Sequence, residues 1–191
     1  MQSAKDSFYV ALRDRLAALN PQRTVFLNGV TRPAVVVMEN ECITATGPFP
    51  EAFYLGWGTA QPVASMRNGQ PPLLGLECTI SYWTGGSPEM QGVDRGRVLA
   101  QLDSELLAIC SPPSAPKCDY SQTPPASLGT KVLWSLPDLR LKTSTQLFEA
   151  APQWAVMGDQ LAASPPDSVP VIRLQRAASL TVYFYPEAAA S

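Results

Sequence analysis

Histidine is absent from all 191 residues. That removes the commonest general base and the commonest metal ligand. Serine and cysteine nucleophiles lose their usual activating partner, and no Gly-x-Ser-x-Gly elbow is present. Charge is scarce as well. Asp, Glu, Lys and Arg make up 16% of the chain, against roughly 25% in an ordinary soluble domain. A net charge of −2 leaves no basic footprint for nucleic acid, and a weakly charged chain often hides surface in an assembly. No run approaches the roughly 20 apolar residues of a membrane span. The first 20 residues are charged and amphipathic, with no apolar leader-like run. The expectation is a protein made in a cytoplasm and soluble there, with no membrane partner.

Cysteine is sparse too, with only Cys42, Cys78, Cys110 and Cys118. Zinc needs Cys or His in spaced clusters, and Cys110 and Cys118, eight apart with no third neighbour, fit poorly. Those two flank a Pro-rich stretch. The simpler reading is two free thiols in a reducing compartment, with a disulfide as the alternative. Cys78 lies on the apolar face of a strand and reads as a small core residue. Phosphate-cradling glycine patterns are also missing: Asn28-Gly29 is a turn, and Gly85-Gly86 runs into Ser87-Pro88 instead of a helix. No cofactor and no metal is expected.

What the chain does have is apolar residues, at 46%, and 19 prolines. The prolines gather near residues 48–50, 71–72, 112–116, 124–125 and 165–170, which predicts long, stiff connections. Around them the periodicity is clear. Phe8, Leu12, Leu16 and Leu19 form a helical stripe over residues 5–19, with Arg13, Asp14 and Arg15 turned to water and Asn20-Pro21 ending it. Residues 24–27 predict a strand and Asn28-Gly29 a hairpin. The apolar run 34–38 predicts a strand covered on both faces, in the middle of a sheet.

The most regular stretch is 74–109. Leu74, Leu76, Cys78, Ile80 and Tyr82 alternate on one strand face. After the turn, Asp94 can cap a helix whose Leu99, Leu102, Leu106 and Ile109 face the core. Residues 112–128 predict an extended loop, and 130–136 a strand with Val132 and Trp134 opposite Leu133. Residues 144–157 predict a short helix interrupted by Pro152. A closing strand follows, best over 178–185, and a disordered tail over 186–191. The order predicts one α+β domain over 1–191: a mainly antiparallel sheet, two principal helices packed on one face, and long Pro-rich loops elaborated near 111–129 and 138–170.

With no reactive constellation, candidate function lies on surfaces. Asp103 and Glu105 diverge on their helix and read as a solvated or partner-facing side, not a catalytic pair. Asp94, Arg95 and Arg97 make a charged patch at the helix start. A cap with an Asp94–Arg97 pair is the plain reading; Arg95 or Arg97 reaching a neighbouring subunit is the sharper one. The aromatic cluster from Phe49 to Trp57 predicts either an apolar pocket lining or packing on its own chain or a neighbour. Trp83, opposite the core face of its strand, is either a candidate interface anchor or a residue lying under a long loop. The interface candidates are therefore Trp83, Arg95, Arg97, Asp103, Glu105, Phe53 and Trp57.

Four segments carry a resemblance. They are the helix Tyr9-Val10-Ala11-Leu12-Arg13-Asp14-Arg15-Leu16, the strand Arg32-Pro33-Ala34-Val35-Val36-Val37, the strand-turn-helix 74–109, and the closing Ala178-Ser179-Leu180-Thr181-Val182-Tyr183-Phe184-Tyr185. In order and pattern, over about half the chain, they resemble the tail terminator (tail-completion) proteins of long-tailed bacteriophages. Asp94-Arg95-Gly96-Arg97 and Val182-Tyr183-Phe184-Tyr185-Pro186 are the most suggestive phrases. The Pro-rich 112–128 stretch and the 138–170 insertion depart from the smaller family members. The resemblance implies a non-enzymatic virion protein at the tail–neck junction, assembled in the host cytoplasm. It implies a ring of six copies that ends tube growth, contacts the tail tube protein on one side and the neck or head-completion (connector) protein on the other, and lets genomic DNA through its lumen without specific binding. The alternatives are a neck or head-completion protein of the same particle, or a small-molecule-binding or enzymatic domain built around residues 49–57.

Overall fold

A computed structural model describes residues 1–41, 49–63, 72–85, 93–139, 144–148 and 171–187. The expectations for Cys42, for the turn from Gly86 to Pro88, for most of 138–170 and for 188–191 lie outside the described residues.

The chain opens with α1 (Gln2–Leu19), whose Phe8, Leu12 and Leu16 are fully buried. Leu19, expected to complete the stripe, is half exposed. The inward contact at that end comes instead from Asn20, whose amide donates to Glu105. Arg15, expected to face water, turns inward: its guanidinium donates to the carbonyls of Ile109, Pro112 and Ser114 and lies over the Trp134 ring.

β1 (Thr24–Leu27) and β2 (Val30–Pro33) form a hairpin. Asn28 and Gly29 both have positive φ, 52° and 79°, as a two-residue turn matched to strand twist requires. Then come β3 (Val35–Val37), the one-turn α2 (Met38–Glu41), β4 (Phe53–Pro62), β5 (Leu74–Thr84), α3 (Val93–Ile109), β6 (Ser114–Asp119), β7 (Ala126–Trp134), β8 (Ser144–Phe148) and β9 (Val171–Phe184). The main sheet runs β3-β4-β5-β9-β7-β6, with β8 beside β9; every pairing is antiparallel except β3 with β4. The fold is α+β. Leu76, Cys78, Ile80 and Tyr82 of β5 share a buried face with Ala178, Leu180 and Val182 of β9, and α1 and α3 pack over that side of the sheet. Phe8 pins the layers together, edge-on to Trp57 of β4 at 5.8 Å and to Trp134 of β7 at 5.0 Å.

Several expectations are corrected. β3 sits at a sheet edge, not in the middle. Its continuous apolar run reports cover above and below, and that does not fix its place among the strands. The 112–128 stretch is no plain loop, because it contains β6 and the start of β7. Pro116 is tolerated because β6 is an edge strand, where a missing N–H breaks no ladder. Residues 144–148 form a strand, not a helix, because the 14-residue β9 offers them an edge to pair. Asp94 lies inside the first turn of α3 instead of capping it, where its charge suits the helix dipole. Pro186 and Glu187 are held in place: Glu187 pairs with Lys117 and with the amino group of Met1.

Candidate interaction surfaces

The two faces of the sheet differ. One is sealed by α1 and α3; among the described residues no helix covers the other over β5, β9 and β7. The bare face carries exposed Gln61, Glu77, Thr79, Leu133 and Ser179, with Thr181 and Tyr183 half exposed. Beside β9 it holds an open groove of about 340 Å³ that includes Ser135, Leu136 and Asp138. Val63 borders a second open groove on this face, with Gly75, Thr181 and Tyr183. A Cβ at Gly75 would lie 2.8 Å from Val63 Cγ2 and 3.1 Å from Thr181 Cγ2, so a side chain there would have to push Val63 aside. Glu77, Asp138 and Lys131 are spread among Thr, Ser and Gln.

Two further features stand out. The β1–β2 hairpin exposes Phe26 at 66% and Val30 at 58%. At the far edge of the sheet, a groove of about 360 Å³ is lined by Leu128 and Thr130 of β7, Lys117 of β6, and Tyr185, Pro186 and Glu187 after β9. Its one cation is internally neutralised. Lys117 is almost fully buried, donates to the Tyr185 carbonyl at 2.6 Å, pairs with Glu187 at 2.8 Å and lies 5.7 Å from the Phe184 ring. Burial opposes ionisation of Glu187, but hydrogen bonds from Lys117 and the Met1 amino group prevail and hold its carboxyl down to about 2. A depressed carboxyl contributes stability above its ordinary value of 4.5 that is lost as pH falls towards 2. The melting-temperature advantage of the wild-type chain over Glu187→Gln is therefore expected to vanish between pH 4.5 and 2. Parallel melting curves across that range would remove the role given to this carboxylate.

The seven interface candidates fall in different places. Phe53 is fully buried and packs edge-on to Tyr82 at 5.6 Å. Trp83 is 7% exposed and its carbonyl accepts from the Glu51 N–H. Trp57 is half buried against Phe8, with the Lys5 ammonium 5.4 Å from its ring. Asp103 accepts from the Tyr82 hydroxyl at 2.5 Å and pairs with Arg176. Burial first, then the hydrogen bond and charge of Asp103, raise the Tyr82 phenol well above its ordinary value, so it stays a donor. Glu105 is 7% exposed and accepts from Arg23, Asn20 and Gln101. Arg95 is half buried, donating to the Gly85 carbonyl at 2.9 Å. Arg97 is exposed on α3. Five of the seven side chains thus serve contacts within the chain, Arg95 does so in part, and Arg97 alone stands clear in solvent.

The aromatic cluster resolves the same way. Tyr54 is buried, its hydroxyl donating to the Phe49 carbonyl and accepting from the Phe49 N–H, and Leu55 is buried beside it. Phe53, Tyr54 and Leu55 belong to the core, and Trp57 borders a crevice of about 30 Å³. Cys78, Cys110 and Cys118 are free thiols. Burial raises Cys78 and pushes Cys110 up to about 12, so neither is a nucleophile at neutral pH. Among the described residues, no group of three or more His, Cys, Asp or Glu is placed to hold a metal ion, and no helix is long and apolar enough to cross a membrane.

The exposed hairpin was legible in part: Asn28-Gly29 marks the turn, but Phe26 and Val30 read as ordinary strand residues. The groove at the β6–β7 edge had no local signal, since it is assembled from three separated segments. Compared with protein-family models and with curated proteins, the chain matches none.

Proposed function

We infer that this chain is the structural subunit of a ring, and that the ring is a tail terminator of a phage-like tail. The observation that supports the reading is the asymmetry of the sheet: among the described residues, one face is sealed by two helices and the other is left bare and weakly charged. A lone enzyme domain gains nothing from an open sheet face without a reactive cluster. A ring subunit does, because bare faces turned to a common axis make a smooth, nearly neutral passage. Copies joined by heterologous contacts close when the rotation between them divides a full turn, and a closed ring cannot go on growing as a filament. The resemblance sets the number of copies at six. One side of the ring would copy the tube subunit's contacts and the other would meet the neck. DNA would pass through, slowed by few phosphate contacts.

The test is tail length in particles assembled without this chain, measured by electron microscopy. Overlong, headless tails of variable length are the expected result. Tails of normal length that fail to join heads would overturn termination in favour of a neck role. Unaltered particles would overturn both.

A further inference from the structure

We propose that the β1–β2 hairpin is an arm that places Phe26 in the Leu128–Tyr185 groove of a second copy of this chain.

Three observations carry this. The first is the contrast between strand edges. Two edge strands of the main sheet, β6 and β3, are guarded. β6 has Pro116 on its strand, and its Cys118 N–H is satisfied by the Ser7 hydroxyl. β3 is three residues long, and its Val37 N–H is satisfied by the Glu41 carboxylate. Proline on the strand, short length and cover are the usual protections against pairing with other chains. The hairpin's strands are also short, at four residues each, but along residues 24–31 it is regular in register and carries no charge or proline.

The second is that its apolar exposure is two-sided. Phe26 faces Thr31 across the ladder, whereas Val30 faces Leu27 on the opposite side. On the Val30 side Val25 is buried against the chain's own core, so that side leaves the body only at the hairpin tip, while Phe26 projects from the free side. Exposed, the arm offers on the order of 100 Å² from Phe26, against roughly 800 Å² per partner in a stable pair. The arm therefore anchors a wider edge-to-edge contact and does not by itself hold a dimer.

The third is where arm and groove lie. The hairpin runs directly into β3, one end of the sheet order; the groove is built on β7 and β6, the other end. Knob and hole on opposite edges of one chain define a heterologous contact, which repeats from copy to copy until it closes. Neither side brings an unpaired charge: residues 24–31 are uncharged, and the groove's Lys117 is paired with Glu187. The proposal uses the ring reading for closure, while the contact itself rests on these observations.

The experiment uses the full chain in two variants, Phe26→Glu and Leu128→Glu, followed by analytical ultracentrifugation. Phe26 is 66% and Leu128 38% exposed, so both variants are expected to fold, and Tyr185→Glu is a second groove variant should Leu128→Glu melt early. The wild-type chain is expected to form a closed assembly. Each variant alone is expected to associate about 30-fold more weakly or worse. Mixed one to one, the two should form a dimer and nothing larger, because one intact arm meets one intact groove and the remaining ends are both blocked. If Phe26→Glu assembles like wild type, the arm proposal falls and the ring reading stands. If Phe26→Glu is monomeric and the mixture makes no dimer, the arm does not use this groove and the proposal falls. A wild-type pair that joins by arm and groove but never closes would keep the arm and overturn the ring. A wild-type monomer at every concentration overturns both.

Discussion

Replacing Glu105 by alanine is expected to lower stability by about 3–5 kcal/mol, the range for breaking a buried ion pair by removing one partner. At about 2–4 °C per kcal/mol for a domain of this size, the melting temperature should fall by roughly 6–20 °C. Glu105 receives the Arg23 Nε at 2.5 Å and Nη2 at 3.2 Å, the Asn20 amide at 2.8 Å and the Gln101 amide at 3.0 Å. Without it, the Arg23 guanidinium, whose side chain is only 8% exposed, keeps a single carboxylate partner, Glu51, itself 40% exposed. The cost is that of leaving a charge dry and half-paired. Glu105→Gln keeps one acceptor oxygen and should cost less. The double variant Arg23→Leu with Glu105→Leu should recover much of the loss, because two apolar groups need no ion desolvated. Denaturant unfolding of the three variants checks the ordering; a Glu105→Ala cost within about 1 kcal/mol would mean that the network holds little.

Why Glu105 read as a surface residue shows what the sequence carries and what it does not. Its helix was legible because Leu99, Leu102, Leu106 and Ile109 repeat at helical spacing, and all four are buried. The β5 face was legible for the same reason, at period two. What periodicity cannot carry is a partner far along the chain: Arg23 lies 82 residues from Glu105, and Arg176 lies 73 from Asp103. Charged residues near the core edge were therefore assigned to water or to a neighbour when they in fact meet each other. Trp83 is a different case: its place opposite the core stripe leaves exposure and cover equally open, and the second face is covered at that end of β5. β3 shows the converse, since burial on both faces was read correctly and its place in the sheet was not. Local rules report the environment of a residue and leave the identity of its neighbours open, and a binding surface is a matter of neighbours. That is why the Leu128–Tyr185 groove, drawn from three segments, had no signature in the chain.

Replacing Phe8 by alanine is the second large effect. Phe8 is fully buried and touches two aromatic rings from different strands, Trp57 and Trp134, in edge-on geometry. Truncation of a core Phe costs about 3–5 kcal/mol through lost transfer energy and the cavity left behind, and aromatic pairs add about 0.5–1.5 kcal/mol each. The site has little freedom to collapse. Trp134 is held by its indole N–H to the Cys110 carbonyl at 2.8 Å and by Arg15 over its ring at 5.2 Å, and Arg15 is itself fixed by three carbonyls. A rigid cavity wall means a cost near the top of the range. Phe8→Leu refills part of the volume and should cost about half as much. The consequence reaches the candidate surfaces. α1 packs on β3 at one end of the sheet and on β6 at the other, and Phe8 lies between β4 and β7. It therefore sets how the hairpin edge and the groove edge are held relative to each other. Phe8→Leu at a temperature where it stays folded should weaken self-association while Arg97→Ala, on the exposed side of α3, leaves stability within about 0.5 kcal/mol of wild type. Thermal melts paired with sedimentation would separate the two effects, and a Phe8→Leu chain that melts lower yet assembles with unchanged affinity would show that the two edges are positioned independently of this core contact.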